Sequence, residues 1–137
     1  MNDAIARYRA ASEANDIDAL VETLAPDVEL ISPIAGRMRF RGRADLRVLL
    51  AAVYGTTRDL HWTEQIGERV VLGETRVGPL RLTDAMVFDL APDGRIARIR
   101  PHLRPWLALT LFALLLGPRV ARHPGLVLRA IRNSIGG

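Results

Sequence analysis

Four segments of alternating apolar character, residues 60–66, 69–77, 80–90 and 95–103, follow one another with only Gly67-Glu68, Gly78-Pro79 and Ala91-Pro92-Asp93-Gly94 between them. Alternation at period two sends successive side chains to opposite faces of a strand. Connections this short cannot hold the crossover that a parallel pair needs, so the four segments must form an antiparallel meander. A sheet of this kind buries one face, and the rest of the chain has to supply its cover.

The first half reads as that cover. Ile5, Tyr8, Ala11, Ala19, Leu20 and Leu24 recur at helical spacing and predict an amphipathic helix over residues 3–24. Asp16-Ile17-Asp18 breaks it where a second helix starts, and Ala25-Pro26-Asp27 ends it. Residues 28–33 alternate like a strand, with Val28, Leu30 and Ser32 on one face, and Gly36 follows as a turn. A short strand over 37–41 turns Met38 and Phe40 inward and the Arg37, Arg39, Arg41 stripe outward, as a solvated face or a contact for an anionic ligand or lipid. Gly42 opens a further helix through Val48, Leu49, Ala52 and Val53, closed by Gly55. The expected fold is α+β: a cone-shaped curved antiparallel sheet wrapped around N-terminal helices, with a C-terminal helical extension. The cone spans residues 1–103 and the extension residues 104–137.

With 137 residues, 49% of them hydrophobic, the chain suits one compact domain. Cysteine is absent, which removes disulfide frameworks, thiolate zinc sites and cysteine nucleophiles. Three scattered histidines lack metal-ligand spacing. No glycine-rich phosphate loop and no Gly-x-Ser-x-Gly elbow is present, so neither metal nor organic cofactor is expected. The net charge of +4 is unevenly spread: residues 1–94 hold eleven Arg and fifteen acids, residues 95–137 eight Arg and no acid. That tail is Leu-rich rather than interleaved with aromatic residues, which argues against nucleic acid as a partner. The N-terminus lacks a basic leader followed by an apolar core, so a cytoplasmic location is expected. The absence of Lys beside nineteen Arg suits a high-GC bacterial source.

One strand face carries the chemistry. Leu82, Asp84, Met86 and Phe88 alternate, so a carboxyl points into an apolar interior, where desolvation raises its pKa and favours a neutral proton donor. The alternative is a structural acid paired with an Arg or a Tyr hydroxyl. Trp62 shares a face with Leu60, and Ile99, Pro101 and Leu103 form the inward set of the last strand, leaving His61 and His102 on the other face.

The element order, with RYRAASEANDIDALVETLAPDVELISPIAG at 7–36, FRGRADLRVLL at 40–50 and LTDAMVFDLAPDGRIARIRPHL at 82–103, resembles the nuclear transport factor 2-like superfamily, especially its SnoaL-like and ketosteroid isomerase-like branches. The likeness runs over about residues 3–103. It implies a hydrophobic ligand pocket inside the cone, a homodimer built across the sheet, and isomerase- or cyclase-like acid–base chemistry without a cofactor. In ketosteroid isomerases a Tyr on the first helix and a protonated Asp on the penultimate strand hydrogen-bond the developing enolate oxygen. Tyr8 and Asp84 match those positions and are the expected catalytic pair. Ser32, Met38, Phe40, Trp62, Met86, Phe88, Ile99 and Leu103 are the expected ligand-binding wall. The chain departs from the pattern at Ser32, which stands before Pro33 where the isomerase has its carboxylate base; a hydroxyl is no base near neutral pH. Two readings follow: a small-molecule enzyme that polarises a carbonyl or enol oxygen, or a non-catalytic binder of lipid-like or polyketide-like ligands.

The extension needs its own account. Residues 106–116 form an eleven-residue apolar run, against the roughly twenty that span a bilayer. Gly117-Pro118 is expected to break its helix, with short amphipathic pieces after it interrupted at His123-Pro124-Gly125. The run either packs over the mouth of the cone or a second subunit, or lies on a membrane surface with the Arg residues on anionic headgroups. The second reading places the protein peripherally on the inner face of the membrane.

Overall fold

The structure is a computed structural model that describes residues 3–35 and 37–136; the turn expected at Gly36 lies outside them. The first two helices, α1 (Asp3–Glu13) and α2 (Ile17–Glu22), part at Asn15, whose φ of 53° turns the chain, and at Asp16, whose carboxylate caps α2 by accepting from the Ala19 amide at 3.1 Å. They are followed by β1 (Leu24–Ile31), β2 (Arg39–Arg41), α3 (Arg43–Thr56), β3 (Arg58–Ile66), β4 (Val70–Val77), β5 (Leu80–Leu90) and β6 (Ile96–Arg104). The chain then closes with α4 (Trp106–Ala121) and α5 (Pro124–Gly136).

The six strands form one curved open sheet in the order β2-β1-β6-β5-β4-β3. Strands β3 to β6 make the expected antiparallel meander. Its two tight turns use Gly67 and Gly78 at φ of 62° and 56°, conformations that a side chain would resist. The pairing of β1 with β6 is parallel and joins the first strand to the last. Residues Ala25-Pro26-Asp27 belong to β1 instead of ending the helix before it. Their place in the strand is possible because the β1–β6 register shifts between Leu24 and Glu29, where a proline costs no ladder hydrogen bond.

The inner face of the sheet packs on α1, α2 and α3 through Ile5, Leu20, Leu46, Phe88, Ile96 and Ile99, all fully buried. On α3 the buried stripe is Leu46, Leu49, Leu50 and Tyr54, while the expected Val48, Ala52 and Val53 lie at its edges, partly buried. The outer face is charged. Arg41 pairs with Glu29 at 2.6 Å, Arg98 lies 3.6 Å from Glu29 and 3.7 Å from Asp89, and Arg69 and Arg100 also pair with Asp89. Burial alone would raise the pKa of Glu29, but the Arg41 hydrogen bond and the charges of Arg41, Arg39 and Arg98 outweigh it and hold the carboxyl below its usual range. Within the outward arginine stripe, Arg41 is thus held in an ion pair by the sheet.

The extension folds back on the cone. Ala108, Phe112 and Leu116 of α4 form a second core with Val77 and Leu82, and Leu126 and Ala130 of α5 join the first. Arg129 grips Asp45 with two hydrogen bonds of 2.8 and 2.9 Å, and the Asn133 side-chain amide donates to the Arg39 carbonyl of β2. The break expected at Gly117-Pro118 is absent, since α4 runs through both residues to Ala121. Proline removes one backbone hydrogen bond and crowds the residue before it. Gly117 has no Cβ to crowd, and Leu116 and Val120 on either side are anchored in the cores, so packing overrides the local signal.

Candidate functional site

Between the sheet, α3, the 32–35 loop and α4 lies a cavity of about 230 Å³. Leu30, Phe40, Leu82 and Met86 line it from the strands, Leu49, Leu50, Val53 and Tyr54 from α3, and Phe112, Leu116 and Val120 from α4. The helix of the extension is therefore a wall of the cavity.

Its polar groups are few, and most are already engaged. The Thr75 hydroxyl donates to the Arg58 carbonyl at 2.7 Å and that of Thr57 to the Val53 carbonyl at 3.3 Å. Ser32 accepts the backbone N–H groups of Ile34 and Ala35 at 3.2 and 3.0 Å, so its oxygen shapes the loop at the cavity edge. Asp84 differs. The backbone of His102 donates to its carboxyl, yet Oδ1 is closed off from solvent and has no hydrogen-bond partner among the described residues. Burial pushes its pKa from 3.8 to about 7, and the His102 bond offsets only part of that rise. The rise favours the protonated carboxyl, which can donate a hydrogen bond.

Beside Asp84 stands a pair of phenols. The Tyr8 and Tyr54 hydroxyls lie 2.8 Å apart in a hydrogen bond, and the Tyr8 ring meets Phe88 edge-on with centroids 5.2 Å apart. Burial raises both phenol pKa values, and the nearby Asp84 carboxylate adds to the rise, so both stay protonated. Tyr54 lines the cavity; Tyr8 is fully buried behind it.

Of the residues expected from sequence, Asp84, Ser32, Met38, Phe40, Met86 and Leu103 come together on the cavity wall. Tyr8, Trp62, Phe88 and Ile99 do not reach it. They point inward as alternation and helical spacing indicate, but Tyr8, itself on α1, is covered by Phe88 and by Tyr54 of α3, and the helices fill the space in front of the other three. Trp62 is held there by its indole N–H, which donates to Ser12 Oγ at 2.8 Å. His61 and His102 expose their side chains on the opposite face. Tyr54 escaped the sequence reading, although Leu46, Leu50 and Tyr54 at intervals of four mark one buried helix face.

The curved open sheet closed by helices, with an apolar cavity at its inner face, defines a protein of the nuclear transport factor 2-like fold. The sequence pattern of the SnoaL-like domain matches residues 5–99, and the chain belongs to that family. Among solved structures it is similar to an uncharacterized protein conserved in bacteria, with a cystatin-like fold, from Silicibacter pomeroyi: 20% identity, TM-score 0.87, covering 97% of this chain and 95% of that one. It is also similar to a steroid delta-isomerase from Pseudomonas aeruginosa, at 24% identity and TM-score 0.78 over 89% of this chain and 92% of that one. A third similar structure is the epoxide hydrolase/cyclase-like enzyme SalBIII, at 19% identity and TM-score 0.58 over 76% and 95% of the two chains. At these identities the likeness is one of fold. Comparison with curated proteins gives no match. Coverage of 97% takes in α4 and α5, so the Silicibacter protein shares the extension.

Proposed function

We propose that the chain is a cofactor-independent small-molecule enzyme of the isomerase or cyclase type, in which Asp84 polarises a carbonyl or enol oxygen of an apolar ligand. The observation that carries this reading is that Asp84, whose buried Oδ1 has no partner among the described residues, is the carboxyl on the wall of an apolar cavity. A protonated carboxyl there donates to the ligand oxygen, and its bond strengthens as negative charge develops on that oxygen, in surroundings where little water competes. When Tyr8 donates to Tyr54, the Tyr54 proton is free to turn into the cavity as a second donor, reinforced by the bond it accepts. Met38, Phe40, Met86 and Leu103 supply apolar contact, and Ser32 shapes the loop at the edge.

The test is exchange of the α-proton of an apolar cyclic ketone into deuterated water, followed by NMR. Asp84→Asn is expected to slow exchange at least ~100-fold. Exchange at the parent rate in that variant removes Asp84 from the role.

A second reading, a non-catalytic binder of lipid-like or polyketide-like molecules, has its own support: Asp84 is the sole carboxylate among the cavity-lining residues, and Ser32 brings no base. An apolar compound carried through native mass spectrometry, together with no exchange by the parent protein, favours this reading over the enzyme.

A further inference from the structure

Seen from the solvent, α4 is unlike a surface helix of a globular protein. Ala108, Phe112 and Leu116 face inward. On the opposite side stand Trp106, Leu107, Thr110, Leu114, Pro118 and Ala121, exposed and without a single charge. Trp106 is 74% exposed, Leu107 54% and Leu114 67%. The one hydroxyl in the row is turned back on the helix, Thr110 donating to the Trp106 carbonyl at 2.7 Å. Helix α5 repeats the pattern with Leu128, Ile131 and Ile135 exposed. An apolar face this continuous marks a surface that something covers.

Charge identifies the cover. Arg104 precedes α4, Arg122 follows its last turn, and Arg132 stands on α5; all three are exposed. None of them takes part in an ion pair among the described residues. From residue 95 to the end no acid is present to pair with them. A second copy laid on this face would set arginine against arginine, which opposes self-association. An anionic bilayer offers what the face needs: a boundary for the apolar row and phosphate or carboxylate for guanidinium groups. A Trp at the end of the row suits the headgroup level. No helix among the described residues is long and apolar enough to cross a membrane, so the contact is parallel to the surface.

We propose that the outward face of α4, flanked by Arg104, Arg122 and Arg132, docks this protein on an anionic lipid bilayer. The docking is independent of catalysis at Asp84. It leaves the cavity wall formed by the inner face of the same helix next to the lipid, where an apolar ligand concentrates.

Flotation of the full chain with vesicles decides it. The parent protein is expected to float with vesicles of phosphatidylcholine containing phosphatidylserine, to float far less with phosphatidylcholine alone, and to detach as salt is raised. The double variant Arg122→Gln with Arg132→Gln is expected to bind anionic vesicles roughly 25-fold more weakly, at about fivefold for each Arg. Leu107→Glu with Leu114→Glu is expected to abolish flotation with an unchanged circular-dichroism melt. Trp106→Ala, at a still more exposed position, provides a second apolar variant and is expected to weaken binding. Failure of the parent to float with anionic vesicles overturns the proposal. Equal flotation with neutral vesicles does the same, as does a dimer in analytical ultracentrifugation that disappears with the Leu107 and Leu114 changes while flotation persists.

Discussion

Asp84 carries the clearest consequence at the scale of a single residue. Its pKa rises from 3.8 in an ordinary setting to about 7 in the fold, so the folded state holds the proton more tightly than the unfolded chain. For a carboxyl shifted upward, the stabilising contribution is complete below about pH 3.8 and is lost as pH rises through 7. Asp84→Asn, which never ionises, is therefore expected to match the parent in acid and to exceed it at alkaline pH by about 4 kcal/mol. Urea melts at the two pH values check this, and an equal difference at both ends refutes it. Alternation along β5 already placed the Asp84 carboxyl among Leu82, Met86 and Phe88. The fate of Tyr8 was not legible in the same way. Helical spacing turns its ring inward, but only the approach of α3 brings Tyr54 to its hydroxyl and leaves Tyr54 as the phenol at the cavity.

Among the elements, the β3–β4 pair shows how a strand residue is assigned to core or cavity. Trp62 lies opposite Gly73, and a Cβ on Gly73 would stand 2.6 Å from Trp62 Cε3 and 3.1 Å from the His61 carbonyl oxygen. The indole is pinned to Ser12 on α1 and the carbonyl is backbone, so neither yields. Gly73→Ala is expected to destabilise the fold by about 1–3 kcal/mol, read as a lower urea midpoint with an unchanged slope. A midpoint equal to that of the parent would show that Trp62 is freer than this geometry implies. Alternation correctly turned Trp62 inward. It could not tell a residue facing a void from one facing a helix, because that depends on where α1 lies. The same holds for Gly117-Pro118, a strong local stop signal that α4 overrides because the residues around it are anchored in two cores.

On the scale of the whole molecule, two cores meet at the cavity, and α4 both completes the smaller core and closes the cavity wall. Phe112 belongs to both and is 3% exposed. Phe112→Ala is expected to cost about 2–4 kcal/mol, toward the lower part of the usual range because the new space opens into an existing cavity. Thermal melts measure the loss, and an unchanged melting temperature would mean that α4 does not close the core. The sequence by itself determined the period-two strands, their antiparallel order, the helical cover and the apolar setting of Asp84, since all of these follow from spacing along the chain. Tertiary structure alone decided that β1 joins β6 in parallel, that Tyr54 and not Tyr8 lines the cavity, that Trp62, Phe88 and Ile99 are core, and that the extension is a wall of the cavity. Each of those outcomes depends on which distant segment fills the space before a given face, and spacing along the chain carries no record of that distance.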